Sequence, residues 1–308
     1  MFAKTQQPAA GPITCPLCQH QRAHPLLCKF GHWMYQCDHC LVVFTHPMLT
    51  QDDTLDRYST NWFEQEYLPS YGIDPRQPDL CHVAAVHGPM LRSLERFRRT
   101  NHLLDIGAGA GLFLALAQQH GWHVAGVEIA AYGPRYAAQQ FGLTIHHGTI
   151  DDAHLPAEQF DVVMLQDTIE HVTNPRALLR EVHRLLRPGG ALIISTPNFH
   201  SLGRRLLGSR WALISPAEHV HLFCIETLDH ALTSAGFAVF QLTSDANINP
   251  NLIHGGWSPI SEAIKMLLQT IRQSSWARLL PRLALGDELH AVAIKRPVTT
   301  GPTRSYAR

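Results

Sequence analysis

Cys15-Pro16-Leu17-Cys18 and Cys37-Asp38-His39-Cys40 are two cysteine pairs with two-residue gaps, set eighteen residues apart. That spacing suits one tetrahedral zinc ion, because a short turn can aim both of its sulfurs at the metal while its amides hydrogen-bond them. With protein filling all four positions, the ion is expected to be structural. Phe30, Trp33, Met34 and Tyr35 between the pairs suggest a short hairpin too small to build its own core, so metal binding would supply much of its folding free energy. His20 and His39 flank the pairs and are alternative ligands for one position. Four reduced cysteines in a leader segment are the competing reading.

A different chemistry is suggested by Asp105-Ile106-Gly107-Ala108-Gly109-Ala110-Gly111, which follows the apolar run His102 to Ile106. Glycines there let the backbone turn tightly and let a ligand approach without a Cβ in the way. A dinucleotide turn of the GxGxxG type needs glycine at position 112, where Leu112 stands. The carboxylate of Asp105 suits a cationic amino-acid moiety better than a pyrophosphate. Further along, Glu128 closes an apolar run and suits the two hydroxyls of a ribose, with Ile129 beside it. Ile150 and Asp151 offer an adenine-edge site, and Gln166 ends another buried run. An ordinary strand-to-helix connection would need one glycine rather than three.

Three histidines are candidates for proton transfer near neutral pH: His171, His219 and His221. His171 sits in Glu170-His171-Val172, and the other two in Ser215-Pro216-Ala217-Glu218-His219-Val220-His221. Loop histidines in solvent are the plain alternative in a chain holding twenty-one of them. No HExxH spacing marks these imidazoles as a catalytic metal site.

The elements needed to position these groups are legible as alternating strands and helices from Asn101 onward. Expected strands are His102 to Ile106, Trp122 to Val127, Leu143 to His146, Phe160 to Leu165 and Ala191 to Ser195. Expected helices are Leu112 to His120 and Thr227 to Ala235. Another begins after Asn174-Pro175, with Leu178, Leu179, Val182, Leu185 and Leu186 on one stripe, and Pro188-Gly189-Gly190 stops it.

In this order the motifs resemble class I S-adenosylmethionine-dependent methyltransferases of the broad group related to ubiquinone-biosynthesis O-methyltransferases. The residues that carry the resemblance are Asp105 to Gly111, Glu128, Phe160-Asp161, Glu170-His171-Val172, Arg187-Pro188-Gly189-Gly190 and Ser195-Thr196-Pro197-Asn198. It covers roughly residues 101 to 296 and implies an α/β, Rossmann-like seven-stranded sheet whose last strand is antiparallel, with Phe237 to Leu242 and Glu288 to Lys295 as candidates for the final pair. It also implies S-adenosylmethionine as cofactor, held by Asp105, Gly107, Ala108, Gly109, Gly111, Glu128, Ile129, Ile150, Asp151 and Gln166. The segment around His219 would then cover the acceptor pocket.

The chain has 308 residues, enough for a large core with a small satellite, and we expect four regions. These are a zinc-binding knuckle at 1–50, an aromatic helical linker or lid at 51–100, the S-adenosylmethionine-binding domain at 101–297 with a helical insertion at 258–286, and a disordered tail at 298–308. Tyr58, Trp62, Phe63, Tyr67 and Tyr71 give the linker its aromatic character. Twenty-five basic and twenty-five acidic residues balance, which disfavours a nucleic acid partner. No run reaches the roughly 20 apolar residues of a membrane span, and the polar first ten residues lack a secretory core, so a cytoplasmic enzyme is expected. The apolar and arginine-rich stretches 201–214 and 260–285 leave peripheral membrane contact open, beside a lid, a dimer face or plain packing. A small-molecule acceptor methylated at oxygen is the leading expectation, on a sugar, an aromatic metabolite or a lipid-linked intermediate. Nitrogen or carbon methylation, RNA methylation using the knuckle, and a catalytically silent cofactor-binding module remain alternatives. Oligomeric state is left open.

Overall fold

The computed structural model describes residues 8–9, 11–49, 60–76, 78–246, 248–249, 251–253 and 259–296, and statements here concern those residues. Tyr58 and the segment 298–308 lie outside them. The cysteine-rich segment folds as three antiparallel strands: β1 (Ala23–Lys29), β2 (His32–Cys37) and β3 (Val43–His46). Short helical pieces follow at Thr60–Trp62, Phe63–Tyr67, which is a π-turn, and Leu68–Ser70, before α1 (Cys81–Leu94).

Beyond Asn101, β4 (His102–Ile106), α2 (Leu112–Gln119), β5 (His123–Glu128), α3 (Tyr132–Phe141), β6 (Ile145–His147), β7 (Phe160–Gln166), α4 (Pro175–Leu185) and β8 (Leu186–Pro197) alternate as expected. Then come α5 (Leu202–Leu207), β9 (His221–Leu222), α6 (Ile225–Ser234), β10 (Phe237–Ser244), α7 (Pro259–Gln273) and β11 (Glu288–Lys295). The large sheet has seven strands in the order β10-β11-β8-β7-β4-β5-β6. Only β11 runs antiparallel to its neighbours, as the resemblance implies. The parallel strands β4, β5, β7 and β8 therefore deliver their carboxyl ends to one edge, where open α/β sheets bind ligands.

Local sequence accounts for the helix that leads into β8. The Asn174 side chain accepts the Ala177 N–H at 3.0 Å, and Pro175 occupies the first turn. Leu178, Leu179, Val182 and Leu185 are all buried, each worth roughly 1.5–3 kcal/mol when removed from water. The expected Pro-Gly-Gly stop differs in detail: α4 ends at Leu185 and β8 begins at once with Leu186. Between Phe160↔Leu186 and Val162↔Ala191 the strand advances five residues against two, so Pro188-Gly189-Gly190 forms a bulge inside β8.

The knuckle is not an isolated satellite. β3 pairs with the two-residue β9, Val43 opposite Leu222 and Phe44 opposite His221, completing a four-stranded sheet. Its Cys15, Leu17, Val42 and Phe44 share one buried cluster with Leu228, Leu232, Phe237 and Leu289 of the large sheet's flank. No helix among the described residues is long and apolar enough to cross a membrane.

Candidate cofactor and acceptor site

A cavity of about 690 Å³ opens at the carboxyl edge of the large sheet, a size ordinary for small-molecule sites. Asp105 from β4, the loop residues Gly107, Ala108 and Gly109, and Glu128 and Ile129 from β5 line one side. Ile150 and Asp151 follow β6, and Gln166 ends β7. Of the residues assigned to the cofactor, only Gly111 is not in the wall. Its φ of 73° starts α2, and a Cβ there would meet Ala137 and Ile145 at 3.0 Å, so it serves helix-to-sheet packing.

Glu128 organises this side of the cavity. One carboxylate oxygen accepts the Gly109 N–H at 2.8 Å, and the other accepts the Ala130 N–H at 2.8 Å. Each oxygen retains a second acceptor position, which is what a pair of ribose hydroxyls requires. Asp105 is buried beside it, and burial, reinforced by the charge of Glu128, pushes its carboxyl up to about 8. A cationic ligand group reverses that penalty. Below pH 8 the cavity must release the Asp105 proton to accept such a cation, so affinity should climb with pH up to about 8 and then level. The slope is at most about one decade per pH unit. Calorimetry in buffers of different ionisation enthalpy should register proton release; constant affinity across that range would contradict the assignment.

The aromatic segment closes the top. Trp62, Phe63, Tyr67 and Tyr71 line the cavity, and Phe63 stacks on Tyr132 of α3 with ring centroids 5.0 Å apart. A Cβ at Gly109 would collide with the Tyr67 hydroxyl, so this glycine admits a lid ring as well as a ligand.

Also in the wall, His171 and His219 meet edge to face, centroids 4.9 Å apart. The Nδ1 of His171 lies 2.9 Å from the Glu218 carbonyl, and that of His219 lies 2.7 Å from the Leu213 carbonyl. A carbonyl only accepts, so Nδ1 carries the proton in both rings, and Nε2 of the neutral imidazole presents a lone pair. Glu170 is fully buried, takes the Thr196 hydroxyl at 2.9 Å, and sets Oε1 3.8 Å from His171 Nε2. Burial, followed by the charge of Asp167, holds its carboxyl well above the usual carboxylate range. Ligand atoms of Glu170, His171 and His219 all lie within 4.8 Å of one another, so the three can take up a proton or hold a divalent cation.

His221 departs from its expected place. It lies inside β9, is fully buried and does not reach the cavity; burial pushes its imidazole down to about 3. A base that weak takes no proton at neutral pH, and the side chain belongs to the seam between the knuckle and the large domain.

Residues 61–242 match the methyltransferase domain family. The chain belongs to that family. It is 42% identical to the ubiquinone biosynthesis O-methyltransferase of Ruegeria pomeroyi over half of this chain and 66% of the relative. With the namesake from Maricaulis maris it shares 35% identity over 52% of this chain and 67% of the relative. The chain spans about half to two thirds of the length of the curated relatives it matches. A solved S-adenosylmethionine-dependent methyltransferase from Archaeoglobus fulgidus is similar in fold, with a TM-score of 0.51 at 22% identity, over 75% of this chain and all of that one.

Besides the methyltransferase cavity, the four knuckle cysteines converge. Cys15 and Cys40 sulfurs are 3.6 Å apart, as are those of Cys18 and Cys37, and all four lie within 4.8 Å of one another. A tetrahedron with zinc–sulfur bonds of about 2.3 Å has edges of about 3.8 Å, so the donor set fits zinc. The Cys18 and His39 amides point at the Cys15 and Cys37 sulfurs at 3.5 and 3.4 Å. His20 and His39 stack on each other beside the cluster instead of entering it.

Some cavity residues carried no assignment from sequence. Asp167 and Thr168 directly follow β7, and His87 reaches the cavity from α1 with no local pattern to announce it. Asp167 has a φ of 45°, a backbone conformation that a non-glycine residue adopts at a cost, and its placement at the cavity wall is where such strain concentrates.

Proposed function

We propose that the protein transfers the methyl group of S-adenosylmethionine to an oxygen of a small-molecule acceptor. The observation that carries this reading is a single cavity lined by two chemically distinct sets of groups, the buried carboxylates Asp105 and Glu128 and the His171–His219 pair. When bound, S-adenosylmethionine supplies a methyl carbon activated by its sulfonium. Asp105 would hold the amino-acid cation, Glu128 the ribose hydroxyls, Ile150 and Asp151 the adenine edge, and Ile129, Gln166 and the glycine loop the walls between. The aromatic segment excludes water, and positioning then supplies much of the rate. Nε2 of His171 or His219 takes the acceptor proton as the oxygen–carbon bond forms. No lysine or arginine lines the cavity among the described residues, which supports an acceptor whose reacting part is uncharged, such as a sugar or phenolic hydroxyl.

In this reading residues 1–50 form a zinc-stabilised unit, 51–100 supply the lid and 101–297 carry the chemistry. Labelled S-adenosylmethionine incubated with fractionated small-molecule extract should yield a labelled product, and protein that binds the cofactor yet labels nothing would favour a silent module. With an acceptor in hand, His171→Ala and His219→Ala should each lower turnover by about 10²–10⁴-fold with cofactor affinity retained; full activity in both would leave positioning as the whole mechanism.

A second reading is supported by the clustering of Glu170 with the two imidazoles. A divalent cation on these three groups would polarise the acceptor hydroxyl. Loss of turnover on mild chelation, with the knuckle zinc retained and magnesium or manganese restoring activity, would favour it over an imidazole base.

A further inference from the structure

We infer that Thr45, on the last strand of the cysteine-rich knuckle, is a positioning residue for the two imidazoles of the cavity. The inference rests on the proposed role of His171 and His219 and extends it to a side chain outside the cavity wall.

Period-two alternation along β3 puts Thr45 on the same face as Val43. Met34 of β2 pairs with Thr45, and Leu222 of β9 pairs with Val43. Met34, Val43 and Leu222 all join the buried apolar cluster of Trp211 and Ile214, so the pattern calls for valine at position 45. Threonine stands there instead, only 1% exposed. Valine has the same branched shape, whereas a hydroxyl carried into such a place costs free energy unless it is bonded.

The bond that it makes is long-range. Thr45 Oγ1 donates to the Pro216 carbonyl at 2.9 Å, and the Thr45 N–H donates to the Val220 carbonyl at 2.9 Å. These two acceptors bracket Ala217-Glu218-His219. Between them the Glu218 and His219 N–H groups both reach back to the Ser215 carbonyl at 2.8 Å, so the stretch is one tight turn, held at each end by the same residue. The turn carries the His219 ring, and also the Glu218 carbonyl 2.9 Å from His171 Nδ1. A shift of the turn would therefore move one imidazole and release the other. The His221 N–H, 3.0 Å from the Glu170 carbonyl, holds the Val220 end a second time; at the Pro216 end the tie is the Thr45 hydroxyl. β3 is itself fixed by the cysteine turn, where the Cys37 N–H bonds the Val42 carbonyl at 3.0 Å. The knuckle thus reaches the histidine pair through this side chain.

The test compares Thr45→Val with Thr45→Ser in the full, zinc-loaded chain. Isotope-labelled histidine gives ring signals for His171 and His219, assigned with the two alanine variants, and their Nδ1 protons report the carbonyl bonds directly. In Thr45→Val those protons should exchange with water at least about tenfold faster. Methyl transfer from labelled S-adenosylmethionine to the small-molecule extract, counted per cofactor-binding site, should fall about 10- to 100-fold. The KM for S-adenosylmethionine and the zinc content should stay unchanged, since Thr45 does not line the cavity and is not among the clustered cysteines. Thr45→Ser keeps the hydroxyl and should restore both exchange and transfer. Wild-type imidazole signals in Thr45→Val, even beside a lowered melting temperature, would mark a packing role and overturn the inference. An equal loss in Thr45→Ser would overturn it too. Disturbed imidazoles with undiminished transfer would uphold Thr45 as their anchor and refute their part in proton transfer.

Discussion

Glu128→Ala is expected to lower affinity for S-adenosylmethionine by at least about a hundredfold, to the limit of calorimetric detection. Two losses combine. The carboxylate oxygens that face the cavity disappear, and with them the charge-assisted bonds available to a ligand diol, each worth about 1.5–3 kcal/mol. The Gly109 and Ala130 N–H groups, now held at 2.8 Å, also lose their acceptor, so the loop that shapes the cavity loses its support. Glu128→Gln separates the two effects. Its single carbonyl oxygen can accept only one of the two N–H bonds, and its amide meets the other as a donor, so intermediate affinity with a near-normal melting temperature is expected. Wild-type affinity in Glu128→Ala would refute the ribose assignment.

Removing zinc should have the second large effect, and it should reach beyond the knuckle. Metal analysis is expected to find about one zinc per chain, lost in Cys37→Ser and under strong chelation. Structural zinc contributes roughly 10–16 kcal/mol of apparent free energy to small units of this kind. Here the consequence extends to the large domain, because β3 carries β9, and Cys15, Cys37 and Cys40 share a buried cluster with Leu228, Leu232 and Phe237. Loss of the metal should therefore lower the melting temperature of the whole protein and loosen the Glu218–His221 segment. A zinc-free chain that melts unchanged would remove the knuckle from the account.

The large sheet was readable because its signals are local. Continuous apolar runs marked β4, β7 and the central part of β8, and caps such as Asn174-Pro175 marked α4 within a residue or two of its observed limits. The glycine loop, Glu128 and the cysteine pairs were readable for the same reason: each chemistry is written within a few consecutive positions. What escaped depends on distant pairings. The two-residue β9 is too short to show any period, yet it joins the knuckle to the large domain and buries His221. His219 and His221 are indistinguishable in sequence, and only the β3 pairing turns one to the cavity side and the other into the core. The approach of Glu170 to both imidazoles likewise needs the 215–221 segment to fold back over the end of β7. Proline and glycine at 188–190 looked like a terminator, and the sheet uses them as a bulge because β7 offers a partner immediately.

The most direct measurement is a crystal structure of the protein grown with S-adenosylhomocysteine. The account predicts density in the cavity, with the ribose on the Glu128 carboxylate, the amino-acid group beside Asp105 and the sulfur turned toward His171 and His219. Density elsewhere, or a cavity without ligand density at saturating ligand, would contradict it.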